Sequence, residues 1–184
     1  MSEKTQNIAY LGVLTALAFI LGYLESLLPS LTGIPGVKAG FANIVTMFAL
    51  YYPAKPRKGL AFAVLVSIVR IFLGGITYNG MSAVIYGLAG STLSITVMFF
   101  LRRTRLFSVT AVSVAGAVAH NAGQLLLALF VLGEAVLYYF PILIISGLAA
   151  GLVIGLIASF LLLRSLHSLD RRDLGRSDSR EKSR

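Results

Sequence analysis

Apolar residues in this chain run in long unbroken blocks and do not alternate with polar ones, which is the pattern of membrane-crossing helices, not of half-buried strands. Six blocks can be read: Ile8–Leu28, Val37–Tyr52, Gly59–Thr77, Met81–Leu101, Leu106–Leu132 and Tyr139–Leu163. Most approach or exceed the ~20 residues that a helix needs to cross a bilayer. The second is short, so it either begins outside the hydrocarbon or sits tilted. The pattern predicts an all-α, polytopic six-transmembrane-helix bundle over residues 1–165. A basic tail over residues 166–184, poor in apolar residues, is predicted to be unstructured.

Charge in the connections fixes an orientation. Pro29–Gly36 and Gly74–Gly80 carry no charge, and Gly133–Tyr138 holds only Glu134. Pro53–Lys58 carries Lys55, Arg57 and Lys58, whereas Leu101–Leu106 carries Arg102, Arg103 and Arg105. Cationic loops stay in the cytoplasm. Loops two and four and both termini are therefore expected on the cytoplasmic side of a cell (inner) membrane.

Composition agrees with a membrane class. The 184 residues are 57% hydrophobic and only 12% charged, and mean hydropathy is +0.86. Soluble domains carry about 25% charged residues. The net charge of +9 lies in loops and tail, where it suits anionic lipid head groups and not nucleic acid. There is no cysteine, hence no disulfide or thiolate chemistry. The first apolar block is longer than a signal-peptide core, and no small-residue cleavage motif follows it.

In lipid, small residues mark where helices touch. The sixth block has Gly147, Gly151, Gly155 and Ser159, the fifth Ala115, Ala119 and Gly123, and the fourth Ala83, Gly87 and Ser91. These read as packing ridges within the bundle. The first block has small residues on two faces, one with Gly12 and Ala16 and another with Ala18 and Gly22. One face can meet the bundle and the other a partner protein.

The polar residues within the blocks are few: Glu25, Lys38, Asn43, Arg70, His120, Asn121 and Gln124. A guanidinium cannot shed its proton, and an intramembrane charge costs roughly 2.5–3.5 kcal/mol on insertion scales. The expected topology puts these groups in the outer half of the membrane. Helical spacing aligns Ser113, Ala117, His120 and Gln124 on one stripe, Ala63, Ser67, Arg70 and Gly74 on a second, and Ala39, Asn43 and Thr46 on a third. Turned inward, the stripes line a polar cavity that opens outward and favours an anionic ligand. A closed network is the alternative: Glu25 is equally placed to pair with Arg70 or Lys38, and Asn121 and Gln124 to tie helices together. The loop Pro29–Gly36, with its prolines and glycines, suits a lid or a plain turn.

Several chemistries lack their residues. No Gly-Lys-Ser/Thr element exists for ATP. All aspartates (Asp170, Asp173 and Asp178) lie in the tail, so Mg²⁺–diphosphate chemistry lacks its usual ligands. No catalytic group, metal site or cofactor is expected.

The stretches Gly33-Ile-Pro-Gly-Val-Lys-Ala-Gly-Phe-Ala-Asn-Ile44, Arg70-Ile-Phe-Leu-Gly-Gly75 and Ala115-Gly-Ala-Val-Ala-His-Asn-Ala-Gly-Gln124 resemble the family called Gx transporters, which also carries the label heptaprenyl diphosphate synthase component I. More distantly the chain is similar to the substrate-binding S components of energy-coupling factor importers. That resemblance implies a subunit that binds a vitamin or precursor and joins a transmembrane coupling protein and ATPase subunits. It also implies that Ala9, Gly12 and Ala16 contact the coupling protein. The alternative it leaves is a non-catalytic membrane subunit associated with heptaprenyl diphosphate synthase.

Overall fold

The structure, a computed structural model, describes residues 2–27, 40–51 and 56–181, with side chains as far as Arg164. Its elements are helices α1 (Glu3–Leu27), α2 (Phe41–Tyr51), α3 (Pro56–Gly74), α4 (Met81–Thr104), α5 (Val109–Leu132) and α6 (Phe140–Glu181). A π-helical turn, Gly75–Asn79, ends α3, and a 3₁₀ turn, Glu134–Tyr139, leads into α6. No strand occurs among the described residues. Five helical segments are long and apolar enough to cross a membrane, and α2 is a shorter apolar helix. The length and composition of these helices are those of a multi-pass helical membrane protein.

Local chemistry explains the boundaries. Pro56 opens α3 and Pro141 sits in the first turn of α6, where a missing N–H removes no intrahelical bond. Ser108 caps α5 by accepting from the Ala111 N–H at 3.2 Å, which starts the helix three residues later than the hydropathy alone suggests. Gly133 ends α5 at φ 80° and donates its N–H to the Leu129 carbonyl, a conformation that glycine adopts without a Cβ clash.

Two expectations change. The second apolar block was expected over Val37–Tyr52, but the described helix there has only 11 residues, Phe41–Tyr51. At ~1.5 Å per residue it is roughly 16 Å long, about half the hydrocarbon thickness. Hydropathy does not register this, because Val37 and Ala39 are as apolar as the helix itself; residues 28–39 lie outside the described part. The tail was expected to lack regular structure, whereas the α6 backbone stays helical to Glu181. No proline interrupts it, and leucine and arginine favour the helix.

The bundle has two three-helix halves. In one, α1 packs on α2 and α3; in the other, α5 lies between α4 and α6. The halves meet where α3 touches α4 and α2 touches α6. Small residues make the α5 contacts. A Cβ on Gly151 would lie 2.6 Å from Val114 Cα, one on Gly155 2.8 Å from Thr110 Cα, and one on Gly123 2.7 Å from the Ala89 carbonyl. The α6 ridge and the glycine of the α5 ridge are thus intramolecular seams. In the first half Thr46 and Ser67 share a buried hydroxyl hydrogen bond at 3.3 Å. The polar stripes of α2 and α3 therefore face each other.

The two faces of α1 separate cleanly. Ala18 is buried, and a Cβ on Gly22 would stand 2.6 Å from the Tyr78 hydroxyl. Ala9, Gly12 and Ala16 are all exposed, and nothing lies within 4 Å of where a Gly12 Cβ would be.

At the end of the bundle that holds the N-terminus of α1, Lys58 pairs with Glu3 at 2.5 Å. There too Arg102 of α4 donates to the Leu50 carbonyl at the C-terminus of α2. Its guanidinium lies 5.0 Å over the Tyr51 ring, a cation–π contact. Gly59 is needed beneath it, since a Cβ there would collide with the Leu50 carbonyl.

Candidate functional site

Near the opposite end, the last turns of α1 and α3 and the first turns of α2 and α6 converge beside the middle of α5. A cavity of about 100 Å³ lies there, between the two halves. Glu25, Asn43, Arg70, His120, Asn121 and Gln124 all line it. Lys38, the remaining residue of that constellation, lies outside the described residues, as does the loop Pro29–Gly36. The sequence spacing thus brings together charged and polar groups from four helices, because each occupies the bundle-facing stripe of its own helix.

Arg70 does not pair with Glu25. Among the described residues no ion pair joins them, although each lies within electrostatic reach of the other. The Arg70 Nε is buried and has no hydrogen-bond partner. Glu25 is buried too, and its carboxylate accepts the backbone N–H of Gly40, the residue that precedes α2. Gly40 has φ +79°, and its carbonyl accepts the Asn43 N–H at 2.8 Å. Among the described residues the closed-network alternative is not realised at Arg70: a carboxylate oxygen of Glu25 accepts at the α2 N-terminus, and the guanidinium, which lines the cavity, keeps a buried unsatisfied donor.

Asn121 has a structural bond. Its amide donates to the Leu143 carbonyl at 2.6 Å and lies 3.4 Å from Ser146 Oγ. It ties α5 to α6 at the cavity wall. His120 and Gln124 stand against α4 through Gly90, where a Cβ would lie 2.9 Å from His120 Cε1 and 2.9 Å from Gln124 Cγ. Gly90 thereby lets the imidazole sit flush against the neighbouring helix.

Sequence reasoning missed part of the wall. Gly147 lines the cavity; it stood out only as a packing glycine. Ser146, Ala150 and Ile154 carried no signal of their own. Tyr78 was also missed. The π-helical turn places its hydroxyl against Gly22 and Gly74, with its ring 5.6 Å from Phe19 and 5.6 Å from Tyr23. It lies within electrostatic reach of Arg70. Five-residue π turns are frequent at functional sites, but hydropathy cannot reveal one. Among the described residues no group of His, Cys, Asp and Glu is placed to hold a metal ion.

A helical bundle with spans long and apolar enough to cross a membrane and a small polar cavity between its halves, lined by an arginine whose Nε has no partner, has the build of a membrane protein with a polar site in its interior. The chain belongs to the heptaprenyl diphosphate synthase component I family, whose model matches residues 14–161. No curated protein and no solved structure matches it significantly.

Proposed function

We propose that this chain is a membrane-embedded substrate-binding subunit of an importer, comparable to an S component, that captures a small anionic ligand from the outer side of the cell membrane. The observation that carries this reading is the buried Arg70 Nε without a partner in a cavity that it shares with Asn43, His120 and Gln124. A buried charge with an unmade hydrogen bond is costly, and an anion with an acceptor oxygen offsets that cost. The cavity lies toward the end of the bundle opposite Arg57, Lys58 and Arg102, and by the positive-inside rule that end faces outward. Glu25, Asn43, Arg70, His120 and Gln124 are the proposed ligand contacts, with Lys38 added from the sequence pattern and Asn121 holding the wall. A transmembrane coupling protein and ATPase subunits are the proposed partners. The exposed face of Ala9, Gly12 and Ala16 is the proposed contact with the coupling protein.

The test is a thermal-shift screen of the purified protein against vitamins and isoprenoid or quinone precursors, with Arg70→Ala as control. A ligand that stabilises the wild type and not the variant supports the reading. No stabilising ligand, together with no coupling protein in pull-downs, removes it.

The family description favours a second reading, a non-catalytic membrane subunit that associates with a prenyl synthase. It predicts that the purified chain restores chain elongation to a soluble catalytic partner.

A further inference from the structure

The second helix ends inside the bundle. With 11 residues, α2 covers roughly half the hydrocarbon core. Its C-terminal end is marked by the Arg102 bond to Leu50, beside the cationic loop. Its N-terminus therefore opens short of the far interface, and Gly40, Ala42 and Asn43 line the cavity there. The first N–H groups of a helix have no intrahelical acceptor, and the helix dipole adds about half a positive charge at that end. Half-helices that end within a membrane commonly direct this terminus at an anionic group. Arg70, whose Nε is buried and unpartnered, lines the same cavity from α3.

Glu25 limits this positive seat. Its carboxylate takes the Gly40 N–H, which puts an acidic group at the helix terminus. Arg70 contributes one positive charge, the α2 terminus about half of one, and Glu25 removes one. Among the described groups the remainder is about half a positive charge, which leaves a single carboxylate about half compensated and a diphosphate with two or more charges uncompensated in a low-dielectric site.

We propose that the α2 N-terminus and Arg70 form a seat for a single carboxylate-type anionic group, and that Glu25 is a charge filter that excludes polyanions such as diphosphates. The proposal rests on the cavity's being an anion site and adds the charge that the site selects. A cavity of about 100 Å³ holds a head group of a few heavy atoms and its first waters, which suits a carboxylate better than a hydrated diphosphate.

The experiment titrates the intact protein in lipid nanodiscs with propionate and with inorganic pyrophosphate at fixed ionic strength, following the thermal midpoint. Wild type is expected to bind propionate more tightly than pyrophosphate by about tenfold. Glu25→Gln is expected to tighten pyrophosphate more than propionate, shifting the preference by about tenfold or more, whereas Glu25→Asp keeps the wild-type preference. Asn43→Asp, which adds a negative charge beside the seat, is expected to weaken both probes and pyrophosphate the more; it decides the matter if Glu25→Gln does not fold. Wild-type preference for pyrophosphate, or an equal change for both probes in Glu25→Gln and in Asn43→Asp, overturns the charge filter. Arg70→Met separates the two levels: unchanged binding there, or no binding of either probe to wild type, overturns the anion site itself.

Discussion

Asn121 reaches from α5 to donate its side-chain amide to the Leu143 carbonyl of α6, 2.6 Å away. The same amide lies 3.0 Å from where a Gly147 Cβ would stand, so the missing side chain at 147 is what lets it cross the seam. Interhelical hydrogen bonds in membranes contribute about 0.6 kcal/mol on average and up to about 1.7 kcal/mol. Asn121→Ala is expected to lower thermal stability by an amount in that range and to leave the anion preference of the cavity unchanged. Unfolding curves in detergent and probe titration on the same preparation check both halves. A loss of binding with no loss of stability would instead make Asn121 a ligand contact.

Glycines on two helices lead to opposite expectations. A Cβ at Gly151 meets backbone, 2.6 Å from Val114 Cα, and backbone cannot rotate away. Gly151→Ala is expected to destabilise by about 1–3 kcal/mol. Gly12 opens onto empty space, so Gly12→Ala leaves the isolated chain as stable as wild type. If the α1 face meets a partner helix, a larger Gly12→Leu change keeps that stability but reduces co-purification of the partner. Midpoints of the isolated variants, then pull-downs from the native membrane, separate the effects.

These contrasts show what the chain's pattern disclosed and what it concealed. Long apolar blocks and the four-residue spacing of Gly147, Gly151 and Gly155 carry the helices and their seams, because lipid selects composition along whole helices and close approach selects glycine. The stripe bearing Ser67 and Arg70 was legible for the same reason: a polar residue in an apolar run has one tolerable direction. The short α2 was not, since an apolar residue reads alike inside and outside a helix. Neither was the choice of Glu25 between Arg70 and the Gly40 N–H, which depends on where a backbone turn points a donor. Tyr78 depended on a π turn and Gly90 on the shape of a neighbouring imidazole, and neither leaves a periodic trace.

The orientation of the bundle gives a third expectation. The chain has no cysteine, so single cysteines report without background. Arg105 lies in the connection between α4 and α5, and Glu134 in the turn before α6; both are exposed. By the positive-inside rule the clustering of Arg57, Lys58, Arg102, Arg103 and Arg105 near one end is expected to keep that end in the cytoplasm. A membrane-impermeant maleimide added to intact cells is expected to label Glu134→Cys at once and Arg105→Cys only after the membrane is opened. The reverse order would turn the cavity to the cytoplasm and remove capture from outside.

Arg70 provides the sharpest separation of stability from function. A cation retained for structure should be paired, and its loss should weaken the fold. Here the Nε is buried without a partner and no ion pair to Glu25 forms among the described residues. Removing a charged group whose buried donor is unsatisfied relieves the desolvation cost of that group. Arg70→Met is therefore expected to raise the unfolding midpoint of the ligand-free protein while abolishing anion binding. Arg70→Lys is expected to keep the charge but weaken binding, because an ammonium lacks the planar fork that grips an oxyanion. Glu25 sharpens the comparison. Its bond to the Gly40 N–H survives the loss of Arg70, so any fall in stability on Arg70→Met would have to come from a role that Arg70 itself plays in the fold. A clear fall, measured in the absence of added anions, would reassign Arg70 from ligand capture to holding the helices together.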